Sequence, residues 1–303
     1  MIMYLQHFGL REAPFSLTPD TGFFFAWRSH QEALNVLRIA LDNGEGFLKI
    51  TGDVGLGKTL LCRKLLNSLA EPWVTAWIPN PHLAPGAMRQ AILDELGVRV
   101  SARASQNDVV RELTQRLLEM AREGRRVVLV IDEAQQLPDR TLEAIRLLTN
   151  LETEKRKLLQ VVMFGQPELD QRLAQPSLRQ LRQRVTFSHE LESLDRDGVR
   201  EYVQHRLRLA GRTEPLFSTA SLALLARASR GVPRLVNVLA HKALLAAYGE
   251  GVDEVRRRHV ALAVRDTEDT RRSRFPAWQL LAASLAGSGL LAAGLHIPGG
   301  LLG

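Results

Sequence analysis

Residues 52–59 read GDVGLGKT, which fits the spacing GxxxxGK[ST]. In such a stretch Gly52, Gly55 and Gly57 let the backbone turn so that successive N–H groups face one point, where they can hold phosphate oxygens. Lys58 would then reach the β- and γ-phosphates, and the Thr59 hydroxyl would ligate Mg²⁺. Asp53, Val54, Leu56 and Leu60 complete the loop and the start of a helix whose positive end adds to the attraction. Further on, VVLVIDEAQ at 127–135 ends an apolar run in two carboxylates. Asp132 is placed to hold Mg²⁺ through water, and Glu133 to polarise an attacking water. ATP and Mg²⁺ are therefore the expected ligands. The plain alternatives are a Gly-rich turn and two strand-end charges, and the distance between the two motifs argues against both.

Three further polar groups extend this chemistry. Gln166 in GQPEL follows an apolar run, where it could sense a γ-phosphate or merely cap the turn before Pro167. LRQLRQRVTF places Arg179, Arg182 and Arg184 just before another apolar run. Arg184, and next Arg182, could reach a neighbouring subunit's γ-phosphate and stabilise transition-state charge. A basic helix end on the surface is the other reading. In RGVPRLVN, Gly231 and Pro233 break the chain and Arg234 opens a helix, from which it could fold back onto the phosphates or simply face solvent.

The elements that must position these groups alternate. Helical spacing is read at 29–42, 58–69, about 85–96 and 106–123, with Ser105 and Asp108 as a capping box for the last, and again from 139. Strands are read at 46–52, 73–79, 125–132, 158–165 and 184–191. This order predicts an α/β fold with a parallel sheet covered on both faces. ATPases with a catalytic Glu at this place generally insert an extra strand, and that likeness implies that strand 158–165 lies between the phosphate-loop strand and the Asp132 strand. After Leu191 the strands stop, and helices are read at about 195–210, 219–229, 233–249 and 253–266. The expected domains are a nucleotide-binding core at 1–191, a small all-helical lid at 192–270, and a basic flank with an uncharged tail at 271–303.

Taken together, the phosphate loop, the DE strand, the polar sensor, the arginines before the last strand and GVPR in a helical lid resemble a P-loop AAA+ ATPase with a RecA-like core. More specifically, MYLQHFGLREAPFSLTPD, HQEAL, GDVGLGKTLLCRKLL, IDEAQQL and GQPEL resemble the ExeA/GspA group of secretion ATPases over about residues 3–265. The resemblance implies an ATPase that supports assembly of a type IV, MSHA-like pilus or a related secretion apparatus at the inner membrane. Its partners would be that machinery and other copies of itself, as an ATP-dependent hexamer or dimer. It also implies that the N-terminal segment lies against the nucleotide base, with Phe8, Pro14, Phe15 and His30 as candidates for the adenine pocket; Phe8 and Phe15 could equally be core aromatics. The group's peptidoglycan-binding region has no counterpart in these residues, so cell-wall binding is not expected of them. Two rivals share the same core: a DNA-binding helper ATPase of transposition or replication initiation, and a nucleotide-gated scaffold that does not hydrolyse. DNA is less favoured, chiefly because such a helper has no need of the uncharged tail, and secondarily because no helix-turn-helix pattern follows the lid.

The composition is compatible with this. Of 303 residues, 45% are hydrophobic and 24% charged, an ordinary globular balance. The single cysteine, Cys62, excludes an internal disulfide and fits a reducing compartment. The net charge of +7 admits nucleic acid or an anionic membrane surface. The N-terminus lacks the pattern of a signal peptide, so a cytoplasmic location is expected. Residues 277–298 carry no formal charge and follow RRSR, with Trp278 as an interface anchor. As a helix they would span about 33 Å, enough to cross a bilayer core with the basic side cytoplasmic. Their high Ala, Gly and Ser content also allows a peripheral or disordered tail.

Overall fold

The computed structural model describes residues 4–270 except 80, 102, 154, 155 and 269. After the short helix α1 (Tyr4–His7), the chain forms α2 (Arg28–Asp42), β1 (Phe47–Thr51), α3 (Lys58–Ser68), β2 (Trp73–Ile78), α4 (Pro85–Glu95) and α5 (Gln106–Arg122). Then come β3 (Arg126–Ile131), α6 (Asp139–Leu148), β4 (Leu159–Gly165), α7 (Glu168–Leu173), α8 (Arg179–Arg182) and β5 (Val185–Glu190). Four helices close the described chain: α9 (Arg196–Leu209), α10 (Thr219–Ser229), α11 (Pro233–Gly249) and α12 (Arg257–Arg265).

The five strands form one parallel sheet in the order β2-β3-β4-β1-β5. The strand from 158–165 therefore does insert between the phosphate-loop strand and the Asp132 strand, as the DE pair leads one to expect. Side chains alternate across the sheet, and both faces are apolar. On β3, Val127, Leu129 and Ile131 pack with α4, α5 and α6, while Val128 and Val130 pack with α2 and α3. On β4, Leu159, Val161 and Met163 take the first face, and Val162 and Phe164 the second. Register pairs Thr51 with Gly165 and Ile131 with Met163. The residues that follow, Gly52, Gln166 and Asp132, are thus delivered to the same end of the sheet.

Helices α9–α12 enclose a separate apolar cluster around Val199, Val203, Val236, Leu239 and Val260. The N-terminal segment joins this cluster through Tyr4, Phe8, Leu10 and Phe15, and Tyr4 Oη is hydrogen-bonded to His241 Nδ1 at 2.9 Å. The last helix begins later than 253, because Val255 bridges to Phe217 and is fully buried. Helix α12 can start only beyond it, where the Arg256 N–H donates to His259 Nδ1 at 3.0 Å. The Ser105–Asp108 capping box is present at the start of α5. Among the described residues no helix is long and apolar enough to cross a membrane. The segment 277–298, read as a candidate anchor, lies outside the described residues.

Candidate functional site

The loop between β1 and α3 turns through two left-handed glycines, Gly55 (φ 87°) and Gly57 (φ 92°). A Cβ on Gly55 would come 2.8 Å from Arg234 Cβ, so only glycine lets the helical unit approach the loop this closely. Gly57 caps α3, and Lys58 is its first residue. Lys58 is 5% exposed, and its Nζ donates to the carbonyls of Gly52 (2.7 Å) and Asp53 (3.0 Å). Burial pulls its pKa below the usual lysine value, against the opposing charges of Glu133, Asp132 and Asp53. The ammonium thus holds the loop closed on itself and is placed to exchange two carbonyl partners for phosphate oxygens.

Asp132 follows the buried run of β3 and is 3% exposed. Burial raises its pKa, opposed by hydrogen bonds from the Thr59 side chain and the Glu133 N–H. Glu133 occupies the left-handed region at φ 51°, ψ 38°, a backbone state that costs a non-glycine residue about 1–2 kcal/mol. That turn brings its carboxylate into reach of two amides. Glu133 Oε2 accepts from Gln135 Nε2 at 2.6 Å and from Gln166 Nε2 at 3.2 Å. Gln135 Oε1 in turn accepts from the Gln166 N–H at 3.0 Å, tying the ends of β3 and β4 together.

Lys58, Thr59, Glu133 and Gln166 open on a cleft of about 340 Å³ between the carboxyl end of the sheet and the helical unit. Gly55, Gly57, Lys58, Thr59, Leu60, Glu133, Gln166 and Arg234 all line it, as does Val54. Asp53 and Leu56 belong instead to a neighbouring hollow on the other side of the loop, which Val54 and Arg234 also border. Gly52 packs against Leu191, where a Cβ would sit 3.0 Å from the leucine Cβ. The Arg234 N–H donates to Gly55 O at 3.2 Å, so the start of α11 is bonded directly to the phosphate loop.

His30 lies at a small recess beside the cleft, with Phe24, Leu60 and Pro233. It is 5% exposed, and burial depresses its pKa. Its Nε2–H donates to Leu56 O at 2.8 Å, which leaves Nδ1 as a buried acceptor with no partner among the described residues. Phe8 and Phe15 do not line the cleft or this recess, in contrast to the expectation for an adenine pocket. Both are buried in the helical unit's cluster, Phe15 edge-on to Phe217 at a centroid distance of 5.9 Å, because an apolar ring gains more there than at a polar cleft. Pro14 presents its carbonyl to Arg206. The stretch Ser16–Asp20, just downstream, is what borders the cleft. Arg182 and Arg184 do not line the cleft of their own chain. Arg182 is exposed at the end of α8, and the charge of Arg184 acts on Glu152.

Two residues at the site escaped the sequence reading. Gln135 stands two places after Glu133, and its polarity after an apolar strand was the available signal. Arg206 lies on the buried face of α9 with Val199, Tyr202 and Val203. It is 5% exposed, donates to the carbonyls of Pro14 and Ser16, and stacks on the Phe23 ring at 4.4 Å. Beside it Tyr202 Oη donates to Asn237 Oδ1 at 2.9 Å. A cation on an otherwise apolar helix stripe was its signal.

The fold and this site define a P-loop ATPase architecture of the AAA+ type, and residues 41–173 match the family described as AAA domain. The whole chain is also similar to the general secretion pathway protein A of Aeromonas hydrophila, with 41% identity over 293 residues. That alignment takes in 96% of this chain and 53% of the relative, so the chain spans about half its length. Among solved structures, Cdc6p from Pyrobaculum aerophilum matches with a TM-score of 0.63 at 20% identity, over 80% of this chain and 67% of that one. The ORC2 protein of Aeropyrum pernix, solved in ADPNP–ADP complexes, matches at 0.62 and 18%, over 83% and 72%. The RuvB branch migration motor of Thermotoga maritima matches at 0.53 and 18%, over 78% and 67%. These likenesses concern the fold. The AAA domain match supports an ATP-hydrolysing enzyme, and the Aeromonas relative supports the resemblance to the ExeA/GspA group.

Proposed function

We propose that this chain hydrolyses ATP to support assembly of a secretion apparatus or of a type IV pilus of the MSHA kind, in the manner of MshM, at the inner membrane. The observation that carries the ATPase part is the convergence of Lys58, Thr59, Glu133 and Gln166 on one cleft, with Asp132 buried next to Thr59 and Glu133 and with Arg234 closing the other side. The secretion part rests on the similarity to the Aeromonas protein.

In this mechanism the loop N–H groups and Lys58 hold the β- and γ-phosphates. Mg²⁺ at nucleotide sites is commonly held by one or two protein groups together with phosphate oxygens. The Thr59 hydroxyl and Asp132, whose pKa burial raises and the Thr59 side chain lowers, are the groups that would hold it. Held there, Mg²⁺ would supply positive charge to offset that of the phosphates. Glu133 accepts the proton of the attacking water, and Gln166 steadies the γ-phosphate. Arg234 follows the nucleotide state through its link to Gly55 and carries it to the helical unit. Arg184 and Arg182, which do not line the cleft of their own chain, complete the site of a neighbouring copy in an ATP-dependent dimer or hexamer. Contact with the membrane would come through residues 277–298.

The test is replacement of Glu133 with Gln. Turnover falls at least about a hundredfold while ATP affinity is retained. Unchanged turnover removes Glu133 from the role of base. The same variant, loaded with ATP and used to capture partners from membranes, should retain pilus or secretion components. Recovery of DNA together with DNA-stimulated, salt-sensitive turnover would instead favour a helper ATPase on nucleic acid.

A further inference from the structure

A groove of about 570 Å³ runs across the helical unit, away from the nucleotide cleft. Its floor is aliphatic: Ala220, Ala223 and Leu224 from α10, with Leu194 at the exit from the core. Its rim is basic. Arg196 is the first residue of α9, Arg257 the first of α12, and Arg227 lies in the last turn of α10. No Asp or Glu lines the groove. All three arginines are exposed, and none makes a hydrogen bond or ion pair among the described residues.

This arrangement is costly for the chain alone. At the first position of a helix the backbone dipole is positive and disfavours a cation, yet Arg196 and Arg257 both stand there. Most other arginines of the helical unit have partners: Arg200 with Asp197, Arg256 with Glu254, Arg258 with Glu250, and Arg206 with backbone carbonyls. Three of the groove's four arginines are therefore exceptions within their own unit, and with Arg230, which does have a partner, they border a strip lined by Ala and Leu.

We propose that this groove docks an acidic amphipathic segment of a partner protein. Apolar side chains of the segment cover Ala220, Ala223 and Leu224, and its carboxylates pair with Arg196, Arg227 and Arg257. The aliphatic floor favours a peptide over nucleic acid, since it offers nothing to phosphates and no aromatic ring for a base to stack on. Charge favours a different protein over a second copy of this chain, whose own net charge is +7. The groove also touches the turn that leads into α11. The Leu194 N–H donates to Gly231 O at 3.0 Å, and a Cβ on Gly231 would come 1.9 Å from Leu194 O. That tightly packed turn runs directly into Pro233 and Arg234, so a segment in the groove sits beside the connection between nucleotide cleft and helical unit.

The experiment uses the full chain and a fluorescent synthetic helix with Glu on one face and Leu on the other, read by anisotropy. The Arg227→Glu/Arg257→Glu variant should bind it about tenfold more weakly or worse, and a peptide with Ser for Leu should bind the unaltered chain equally poorly. Basal ATP turnover should be unchanged in the variant, which separates this result from any failure of the ATPase reading. Three outcomes overturn the proposal. One is an equal loss from the matched charge reversal Arg99→Glu/Arg103→Glu, far from the groove, because binding is then a matter of net charge. Another is tighter, competing binding of duplex DNA that the groove variant abolishes. The third is self-association of the chain that the groove variant abolishes, which assigns the groove to a second copy.

Discussion

Gln166 Nε2 donates to Glu133 Oε2 across 3.2 Å, so the polar residue at the end of β4 holds the carboxylate at the end of β3. Gln135 strengthens the tie from its own side, across 2.6 Å, and also accepts from the Gln166 backbone N–H. The carboxylate is therefore kept in one orientation by two amides, one of which, Gln166, faces the same cleft as Lys58. A γ-phosphate competing for Gln166 would loosen Glu133 and hand its position to Gln135.

Gln135 is accordingly a positioning residue for Glu133. Gln135→Leu keeps the size of the side chain but removes the 2.6 Å bond and leaves the Gln166 N–H without its acceptor. The expected result is a fall in kcat of about tenfold with ATP affinity within about twofold, the pattern of an interaction that matters more in the transition state than in binding. Steady-state kinetics and a fluorescent nucleotide titration check both halves. Equal kcat, or a loss confined to affinity, would show that Gln135 only ties strand ends together.

Arg206 supports the cleft differently. Its guanidinium bonds the carbonyls of Pro14 and Ser16 and lies over Phe23, so it fastens the segment leading into Ser16–Asp20 onto α9. Hydrogen bonds from a charged donor contribute about 1.5–3 kcal/mol each, and truncation strands two carbonyls. Arg206→Ala should destabilise the protein by about 3 kcal/mol and make the chain between residues 16 and 28 the first site of limited proteolysis. Lys in its place should recover little, because a single ammonium cannot reproduce the planar fork over the ring. Denaturant titration with mass spectrometry of the early fragments reads both effects; full rescue by Lys would reduce the role of Arg206 to its charge.

The contrast between these residues shows what the sequence could convey. The elements of the sheet and the phosphate loop were legible because they rest on local rules: apolar runs in β3 and β4, glycines at Gly55 and Gly57, a capping box at Ser105. The insertion of β4 beside β1 was legible only through the likeness of the DE pair to that of other ATPases. What was not legible depended on where distant segments pack. Phe8 and Phe15 read equally well as base-pocket or core aromatics, and only the closing of the N-terminal segment onto α9–α12 decided it. Arg206 is 190 residues from Ser16, a separation that no spacing rule spans. The shift of α12 followed from a single long-range bridge, Val255 to Phe217.

His30 links the cleft to pH. Its folded-state pKa is lowered, first by burial and further by the charge of His189, with the Leu56 carbonyl opposing. A histidine depressed in the folded state leaves protons to be bound by the unfolded chain. Its contribution to stability is therefore complete above the unfolded value of about 6.5 and is lost as pH falls through the lower folded pKa. His205 and His241 are depressed by burial as well and act in the same direction. Unfolding free energy should thus decline from pH 7 toward pH 5, with a slope of at most about 1.4 kcal/mol per pH unit for each such group. His30→Gln keeps a donor for Leu56 O and removes the titration, so its profile should be flatter than that of the unaltered chain by up to that slope. Urea titrations across the range measure this; parallel profiles would mean that His30 is protonated alike in the folded and unfolded states.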